Sequence, residues 1–172
     1  LAPVQAGREE TYDSEWPETP GTALSEVEVE LPVAMMTERA SFVDLAAVHL
    51  IVEDSVAHLS ELIGAEVSIR RFRPTALLRS VVEATPGFVD LAWVDRDATA
   101  ADVGLHIAGP APRCVMTTLP QGDLGAHREV LQALAEHARH DTGMGVFACL
   151  GTYAEVTNPG TVRLGDRFVL AG

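Results

Sequence analysis

Two short segments of the chain concentrate the residue types that could do chemistry. The first, I-R-R-F-R-P at 69–74, places Arg70, Arg71 and Arg73 close together in an acidic protein. In a strand, Arg71 and Arg73 would project from the same face, and two forked guanidinium groups suit a phosphate or a carboxylate. The alternative is that these are solvated arginines paired with the surplus acids. The spacing alone slightly favours these surface ion pairs over an anion site.

The second segment, G-P-A-P-R-C-V-M-T-T at 109–118, carries Arg113 directly before Cys114. A guanidinium near the sulfur favours the thiolate, which is the form that binds metals and attacks electrophiles. The alternative is that Cys114 serves as a small apolar residue that begins a core strand. The residues alone favour neither a reactive thiol nor a core residue. The other cysteine, Cys149, has no charged neighbour in V-F-A-C-L, so we predict that it is buried.

Composition excludes several classes of function. The chain has 12 basic residues against 25 acidic ones, a net charge of −13, which excludes general nucleic-acid binding and disfavours anionic membranes. All 12 are arginine, so pyridoxal phosphate chemistry and phosphate loops that need lysine are excluded. The longest uncharged stretch, 142–154, is too short for a membrane-spanning helix. We therefore expect a cytoplasmic protein.

The length of 172 residues predicts a single domain, whose elements position these two segments. Residues 1–25 hold acids and prolines without periodicity, which indicates an irregular lead-in. In E-V-E-V-E-L at 26–31 apolar and acidic residues alternate, as in a half-exposed strand that would begin a domain over 26–172.

The rest of the chain is rich in short apolar runs bounded by turn residues, which indicates a mostly-β barrel. The predicted strands are 46–52, 66–72, 75–82, 88–94, 103–108, 114–118, 144–150, 153–157, 160–163 and 167–170. The last two are expected to pair as an antiparallel hairpin. Two short helices interrupt this pattern, one over 54–63 with Asp54 as its N-cap and one over 126–140.

Four motifs in this order carry a resemblance to a known family. They are R-F-R-P at 71–74, P-R-C-V-M-T-T-L-P-Q-G-D-L at 112–124, M-G-V-F-A at 144–148 and N-P-G-T-V-R-L-G-D at 158–166. Together they resemble the MOSC domain family, which is named after the C-terminal domain of molybdenum-cofactor sulfurases. The resemblance covers roughly residues 40–171. It implies a MOSC-type β-barrel that binds a molybdenum–pterin cofactor or carries sulfur.

The resemblance also implies roles for individual residues. The family's motif cysteine falls on Cys114, and it is the molybdenum ligand in the amidoxime-reducing members and a proposed sulfur carrier elsewhere. The arginine beside the pterin phosphate falls on Arg73, and the arginine before the cysteine falls on Arg113. The amidoxime-reducing members act on small N-hydroxylated compounds and take electrons from a separate electron-transfer protein.

From these motifs we predict a cofactor site around Cys114. Its cofactor-binding residues would be Arg71, Arg73, Thr75, Ser55 and Arg113. Ser55 is included because a helix N-terminus favours an anion, so Arg73, Ser55 and Cys114 should line one pocket. Thr75 stands where the family usually has asparagine, which removes one amide from the site.

Other interpretations stay open. The family's cofactor enzymes carry a Y-P-V-K-S motif that is absent from this lysine-free chain. Either a second chain supplies it, or the chain binds the cofactor weakly or not at all. One rival function is a sulfur carrier that takes a persulfide on Cys114 from a sulfur donor, without metal. Another is a non-catalytic half-protein barrel.

Overall fold

In a computed structural model of the protein, residues 46–81 and 86–171 are described, so the predicted lead-in and the strand 26–31 lie outside them. The described residues form two α-helices and a mostly antiparallel sheet. The helices are α1 (Glu53–Ile63) and α2 (Glu129–His137). The strands are β1 (Val48–Val52), β2 (Ala76–Leu78), β3 (Asp97–Ala100), β4 (Val103–Pro112), β5 (Arg139–Asp141), β6 (Val146–Asn158) and β7 (Phe168–Leu170).

The sheet follows the order β2-β1-β6-β4-β3-β7, and β5 pairs with β6 away from this path. The strands are nearly closed into a barrel. Of the described pairings only β1 with β2 is parallel, and the long strands β4 and β6 form the largest antiparallel pair. The prediction of a mostly-β barrel with two short helices is therefore confirmed.

Strand β1, V-H-L-I-V, lies between two apolar clusters, because successive side chains of a strand point to opposite faces. Leu50 packs with the apolar residues of β3, β4 and β6, including Ile107 and Ala154. Ile51 packs on the other face with both helices, through residues such as Leu59 and Leu134. Both faces of β1 are buried, which explains its almost continuous apolar sequence.

Helix α1 follows the prediction for 54–63, but its beginning differs. The N-cap residue Val52 makes no side-chain cap hydrogen bond, and the predicted cap Asp54 instead accepts a hydrogen bond from the Ser80 hydroxyl at 2.5 Å. The helix ends at Gly64, which has φ 71° and donates its N–H to the Ser60 carbonyl. Helix α2 is shorter than the predicted 126–140. No helix of the described residues is long and apolar enough to cross a membrane.

Three predicted strands are wrong. The runs 66–72, 88–94 and 114–118 contain short 3₁₀ helices instead, at Ile69–Arg71, Val89–Trp93 and Val115–Thr118. In each of them an N–H donates to the carbonyl three residues earlier, for example Phe72 to Ile69 at 3.0 Å. A short apolar run has too few residues for its periodicity to distinguish a strand from such a turn.

The C-terminal strands also differ from the prediction. Runs 144–150 and 153–157 belong to the single strand β6, and β3 and β5 were not predicted. Residues 160–163 form no strand, so the expected hairpin is wrong, and β7 pairs with β3. The physical reason is a tight turn in which the Arg163 N–H donates to the Asp166 carboxylate at 2.7 Å.

Candidate functional site

Cys114 lies just beyond the end of β4, where that strand leaves the sheet. The last pair of the two long strands joins Pro112 to Cys149, and the Arg113 N–H then donates to the Ala148 carbonyl at 2.8 Å. Cys114 follows as the residue before the 3₁₀ helix Val115–Thr118, and its thiol is free and exposed. The chain therefore presents this sulfur at the sheet edge on a backbone anchored immediately before it.

The two cysteines occupy opposite environments, and the burial predicted for Cys149 is confirmed. Cys149 is fully buried in the cluster between β6 and the helices, and it is also a free thiol. Burial raises the pKa of the Cys149 thiol, while the His140 backbone and the Arg113 charge act in the opposite direction. A buried, neutral thiol is unreactive, so the exposed Cys114 is the candidate for chemistry.

The turn after Cys114 is held by its own hydroxyl groups and by Arg71. The Thr117 hydroxyl donates to the Cys114 carbonyl at 3.0 Å, and the Thr118 hydroxyl donates to the Val115 carbonyl at 2.7 Å. The Arg71 guanidinium is buried, with 7% exposure. It donates to three backbone carbonyls of this loop, those of Thr117, Leu119 and Gly125, at 3.4, 3.3 and 2.5 Å. Arg71 thus holds the Cys114 loop in place.

Arg73, in contrast, is exposed and has a strained backbone. Its φ of 51° lies in the left-handed region, which residues with a Cβ rarely adopt, and Pro74 follows it. Such strain persists only where the surrounding structure imposes it, and it concentrates at functional sites. Arg71 points into the protein and Arg73 stands on its surface, so the two do not form the fork that the predicted strand would have made.

Thr75 joins the Arg73 segment to strand β1. The Thr75 N–H donates to the His49 carbonyl at 2.8 Å, and the His49 N–H donates to the Thr75 hydroxyl oxygen at 3.1 Å. These two hydrogen bonds lie directly before β2, which pairs with β1 in parallel. The Arg73–Pro74–Thr75 turn is therefore fixed to β1 at His49.

Arg113 joins the Cys114 segment to the same residue. Its guanidinium donates to the Leu150 carbonyl, from Nε at 2.9 Å and from Nη2 at 2.5 Å, and it also contacts His49 Nε2. The guanidinium carbon lies 5.8 Å from the centre of the Phe72 ring. The segments that carry Arg73 and Cys114 are thus brought together around His49.

His49 is fully buried in β1 and stays neutral at physiological pH. Its pKa is lowered from 6.5 to about 3, first by burial and second by the positive charge of Arg113. The backbone carbonyl groups of Arg73 and Leu150 act in the opposite direction. The Tyr153 ring packs on the imidazole with 5.4 Å between ring centres.

Ser55 has a different set of neighbours. Its hydroxyl donates to the Asp90 carboxylate at 3.0 Å, and the Val52 N–H donates to the other carboxylate oxygen at 3.2 Å. Asp90 is fully buried, and burial raises the pKa of its carboxyl group, although these hydrogen bonds oppose the change. Asp90 thus supplies the acceptor that the N-terminus of α1 needs, and the Ser55 hydroxyl is part of that cap.

The predicted pocket of Cys114, Arg73 and Ser55 stays a prediction, and the described contacts place Ser55 beside Asp90. Two cavities lined by described residues, of about 570 and 330 Å³, contain neither Cys114, Arg73 nor Ser55 in their linings. Within the described ranges, no three His, Cys, Asp or Glu side chains form a group that could hold a metal ion.

Arg70 behaves as the ordinary surface residue that the spacing favours. Its exposed guanidinium makes two hydrogen bonds with the Asp123 carboxylate, at 3.0 and 2.6 Å. The three arginines of 69–74 therefore have three different environments: Arg70 is paired with an acid, Arg71 is buried in a loop, and Arg73 is exposed without an ion pair in the described ranges.

Sequence reasoning missed His49 and Asp90, the two residues on which these networks depend. Each is a lone polar residue in an apolar run, V-H-L-I-V and F-V-D-L-A, and this is the signal that could have found them. A polar side chain in a buried run needs hydrogen-bond partners, because an unsatisfied one is costly. The sequence does not indicate which partners these are.

Comparisons with known proteins give one family model and several similar proteins. The model of the MOSC domain matches residues 37–169. Mitochondrial amidoxime-reducing component 1 of Homo sapiens is 24% identical over 140 residues, which is 78% of this chain and 40% of that protein. The Danio rerio protein of the same name is 25% identical over 136 residues, again 78% and 40%. The chain thus spans about two fifths of the length of these relatives.

One solved structure is also similar, YiiM from Geobacillus stearothermophilus. It has 15% sequence identity and a TM-score of 0.47, with 74% of this chain and 55% of that chain covered.

Proposed function

The chain belongs to the MOSC domain family, and from this premise we propose that it binds a molybdenum–pterin cofactor with Cys114 as the metal ligand and Arg73 at the cofactor phosphate. The observation that carries the proposal is the junction at His49, where the segments of an exposed free thiol and an exposed arginine meet. Both groups lie on backbone that hydrogen bonds hold in place, as a preorganised site requires.

The donor set fits such a cofactor. A thiolate is a soft ligand of the kind that suits a redox-active transition metal, and Cys114 is accessible where Cys149 is not. A phosphate needs a planar, permanently charged donor, and Arg73 has no ion pair in the described ranges. The Thr75 hydroxyl, which accepts from the His49 N–H, can still donate its own proton to a neighbouring oxygen.

Arg71 and Arg113 contribute by position and by charge. Arg71 fixes the loop that follows Cys114 through three carbonyl groups, and Arg113 fixes the residue before it through Leu150 and His49. Both guanidinium groups add positive charge to this edge of a chain whose net charge is −13. An anionic ligand is therefore stabilised here by local charge against the field of the whole protein.

The proposed reaction is the reduction of an N-hydroxylated compound. When bound, the cofactor supplies the redox chemistry, in which two electrons and two protons convert N–OH to N–H and release water. The electrons come from a separate electron-transfer protein. The chain's own contribution is to ligate through Cys114, to orient through Arg73 and Thr75, and to hold both segments through Arg71 and Arg113.

Metal analysis tests the role of the cysteine. The chain and its C114S and C149S variants are purified from a host that makes the molybdenum cofactor, and molybdenum per protein is measured. We expect the chain and C149S to retain molybdenum and C114S to lose it. Absence of molybdenum from the chain, together with cyanide-releasable sulfur on Cys114, would refute cofactor binding and favour the sulfur-carrier function.

Phosphate binding tests the role of the arginine. Arg70→Ala is the matched control for Arg73→Ala, because both arginines are exposed and Arg70 is already paired with Asp123. We expect Arg73→Ala to weaken binding of inorganic phosphate by about tenfold, as for the loss of a charged hydrogen bond, and Arg70→Ala to leave it unchanged. Equal effects of the two variants would refute the assignment of Arg73.

A further inference from the structure

We propose that His49 is a positioning residue, which holds Arg113 on one side and the Arg73–Thr75 turn on the other in one fixed arrangement. The inference deepens the proposed function, because it assigns a residue outside the predicted site to the geometry of that site. The observation behind it is that a single buried residue provides hydrogen bonds to both segments, one through its ring and two through its backbone.

The ring contact determines which nitrogen carries the proton. An arginine side chain has only donors, so His49 Nε2 must accept from Arg113. A neutral imidazole that accepts at Nε2 carries its proton at Nδ1. The Arg113 contact therefore favours the Nδ1–H tautomer of a neutral ring, and this Nδ1 has no hydrogen-bond partner among the described residues. A protonated ring could not accept the hydrogen bond from Arg113.

Space around the ring leaves little room for another arrangement. Gly151 has φ 78°, and a Cβ at this position would lie 2.9 Å from His49 Nε2 and 2.5 Å from the Leu50 carbonyl oxygen. Tyr153 packs on the ring, and Phe72 lies under the Arg113 guanidinium. The imidazole is thus confined by β6 on one side and by Arg113 on the other, which is what a rigid positioning contact needs.

The charges that face the ring explain why histidine serves here. Arg113 is the cation in contact with it, and the carbonyl groups of Arg73 and Leu150 are the dipoles that favour a proton on the ring. A carboxylate in place of His49 would add a negative charge beside Arg113, whereas the neutral imidazole orients the guanidinium without adding one. His49 thus adds no repulsion toward an anion at this edge of the molecule.

The first test needs no mutation. Nitrogen-15 NMR of the imidazole in the full chain should show His49 neutral, with the proton on Nδ1, from pH 7 down to pH 5. Arg113→Met should remove this preference, since it removes the donor at Nε2. A proton on Nε2, or a ring that titrates near pH 6.5, would overturn the proposal. The measurement uses no phosphate or cofactor, so its result tests the role of His49 independently of the proposed function.

The second test is a double-mutant cycle on the binding of inorganic phosphate. If His49 acts through Arg113, His49→Leu and Arg113→Met should each weaken binding by about tenfold, and the double variant should be no weaker than either. His49→Gln keeps an acceptor at the position of Nε2 and should restore most of the affinity. Additive losses, or equal losses in the Gln and Leu variants, would overturn the proposal.

Hydrogen exchange completes the test and separates positioning from general destabilisation. His49→Leu should increase exchange at the Thr75 and Arg113 amides together, while amides of the turn that begins at Thr142 keep their protection. A uniform increase throughout the chain would overturn the proposal in favour of simple destabilisation. If the wild-type chain binds no phosphate but shows the coupled exchange and the Nδ1–H tautomer, the proposed function fails while the positioning role of His49 is supported.

Discussion

Two of the polar networks among the described residues carry opposite charges and satisfy their hydrogen bonds with different kinds of partner. At the start of α1, the Asp90 carboxylate accepts from the Ser55 hydroxyl and the Val52 N–H, with no cation among these contacts. At the junction of β1 with the Cys114 segment, the Arg113 guanidinium donates to a carbonyl and to His49, which are both neutral. The first can be called the acidic network and the second the cationic network.

The acidic network has a structural role, and the cationic network lies at the proposed site. In the acidic network each carboxylate oxygen is used by a donor of the protein, so the network is complete and closes a helix end. The cationic network joins segments that end in exposed groups, Arg73 and Cys114. In this network the Arg113 guanidinium meets the Leu150 carbonyl and the neutral His49 ring, next to the segment that presents the Cys114 thiol. Local positive charge of this kind is what the proposed anion site requires.

The largest expected difference between the networks is in the pH dependence of stability. The folded pKa of His49, about 3, is below the value of 6.5 for an exposed histidine, so between these values only the unfolded chain binds the proton. As the pH falls from 6.5 toward 3, His49 should therefore lower the free energy of unfolding by about 1.4 kcal/mol per pH unit. Urea unfolding of His49→Gln should show a shallower decrease, and parallel curves for the two proteins would contradict the buried, neutral histidine.

The second prediction concerns the acidic network. Asp90→Ala leaves the Val52 N–H and the Ser55 hydroxyl without their acceptor, and we expect a loss of about 2–3 kcal/mol in the free energy of unfolding. Asp90→Asn keeps one acceptor oxygen and should cost much less. Urea unfolding measures both. Phosphate binding by Asp90→Asn should be unchanged, and a loss of binding would show that the two networks are not separate.

A smaller effect is expected at the strained turn of the cationic side. Arg73→Gly and Arg73→Ala both remove the guanidinium, so both should weaken phosphate binding to the same extent. Only glycine also relieves the left-handed φ of 51°, and we expect the glycine variant to be more stable than the alanine variant by about 1 kcal/mol. Equal urea midpoints would show that the backbone of this turn is not strained.

The smallest effect should come from Arg70, which has its acid partner on the surface. Arg70→Ala removes a fully exposed ion pair with Asp123, and such pairs contribute little to stability. Its urea midpoint and its Cys114 labelling rate should match those of the wild-type chain. A change in either would mean that the loop around Asp123 helps to position Cys114, and the division between surface and site arginines would have to be redrawn.

The fold was predictable where the sequence pattern is long. Helix α1, with apolar residues at helical spacing and Gly64 at its end, follows from periodicity and turn residues. The beginning of β4 does too, whereas β6 was predicted as two runs and its pairing with β4 was not predicted. The strand expected at 114–118 could not be distinguished from a 3₁₀ helix, because its shape depends on hydrogen bonds from Arg71 and the threonines of the turn.

The candidate site was predictable in its residue types and less so in its arrangement. Burial of Cys149 followed from its apolar neighbours in sequence, whereas the neighbours of Cys114 left its environment open until the structure showed it exposed. The environment of Ser55 did not, because Asp90 is 35 residues away in the chain and its contact exists only in the folded protein. For the same reason the role of His49 becomes visible only when Thr75 and Arg113 are seen to meet there.

Gly151 has a consequence for how variation in this protein will be interpreted. Every substitution at this position adds a Cβ between the Leu50 carbonyl oxygen and the His49 ring, so even alanine, the smallest replacement, must displace one of them. A saturation-mutagenesis screen for anion binding should therefore find position 151 as intolerant as Arg73, although glycine has no side chain to offer a ligand. Loss of binding in variants of position 151 would show that the space around His49 is limited by β6. Positions that a screen identifies as important for binding would then include residues that do not contact the ligand.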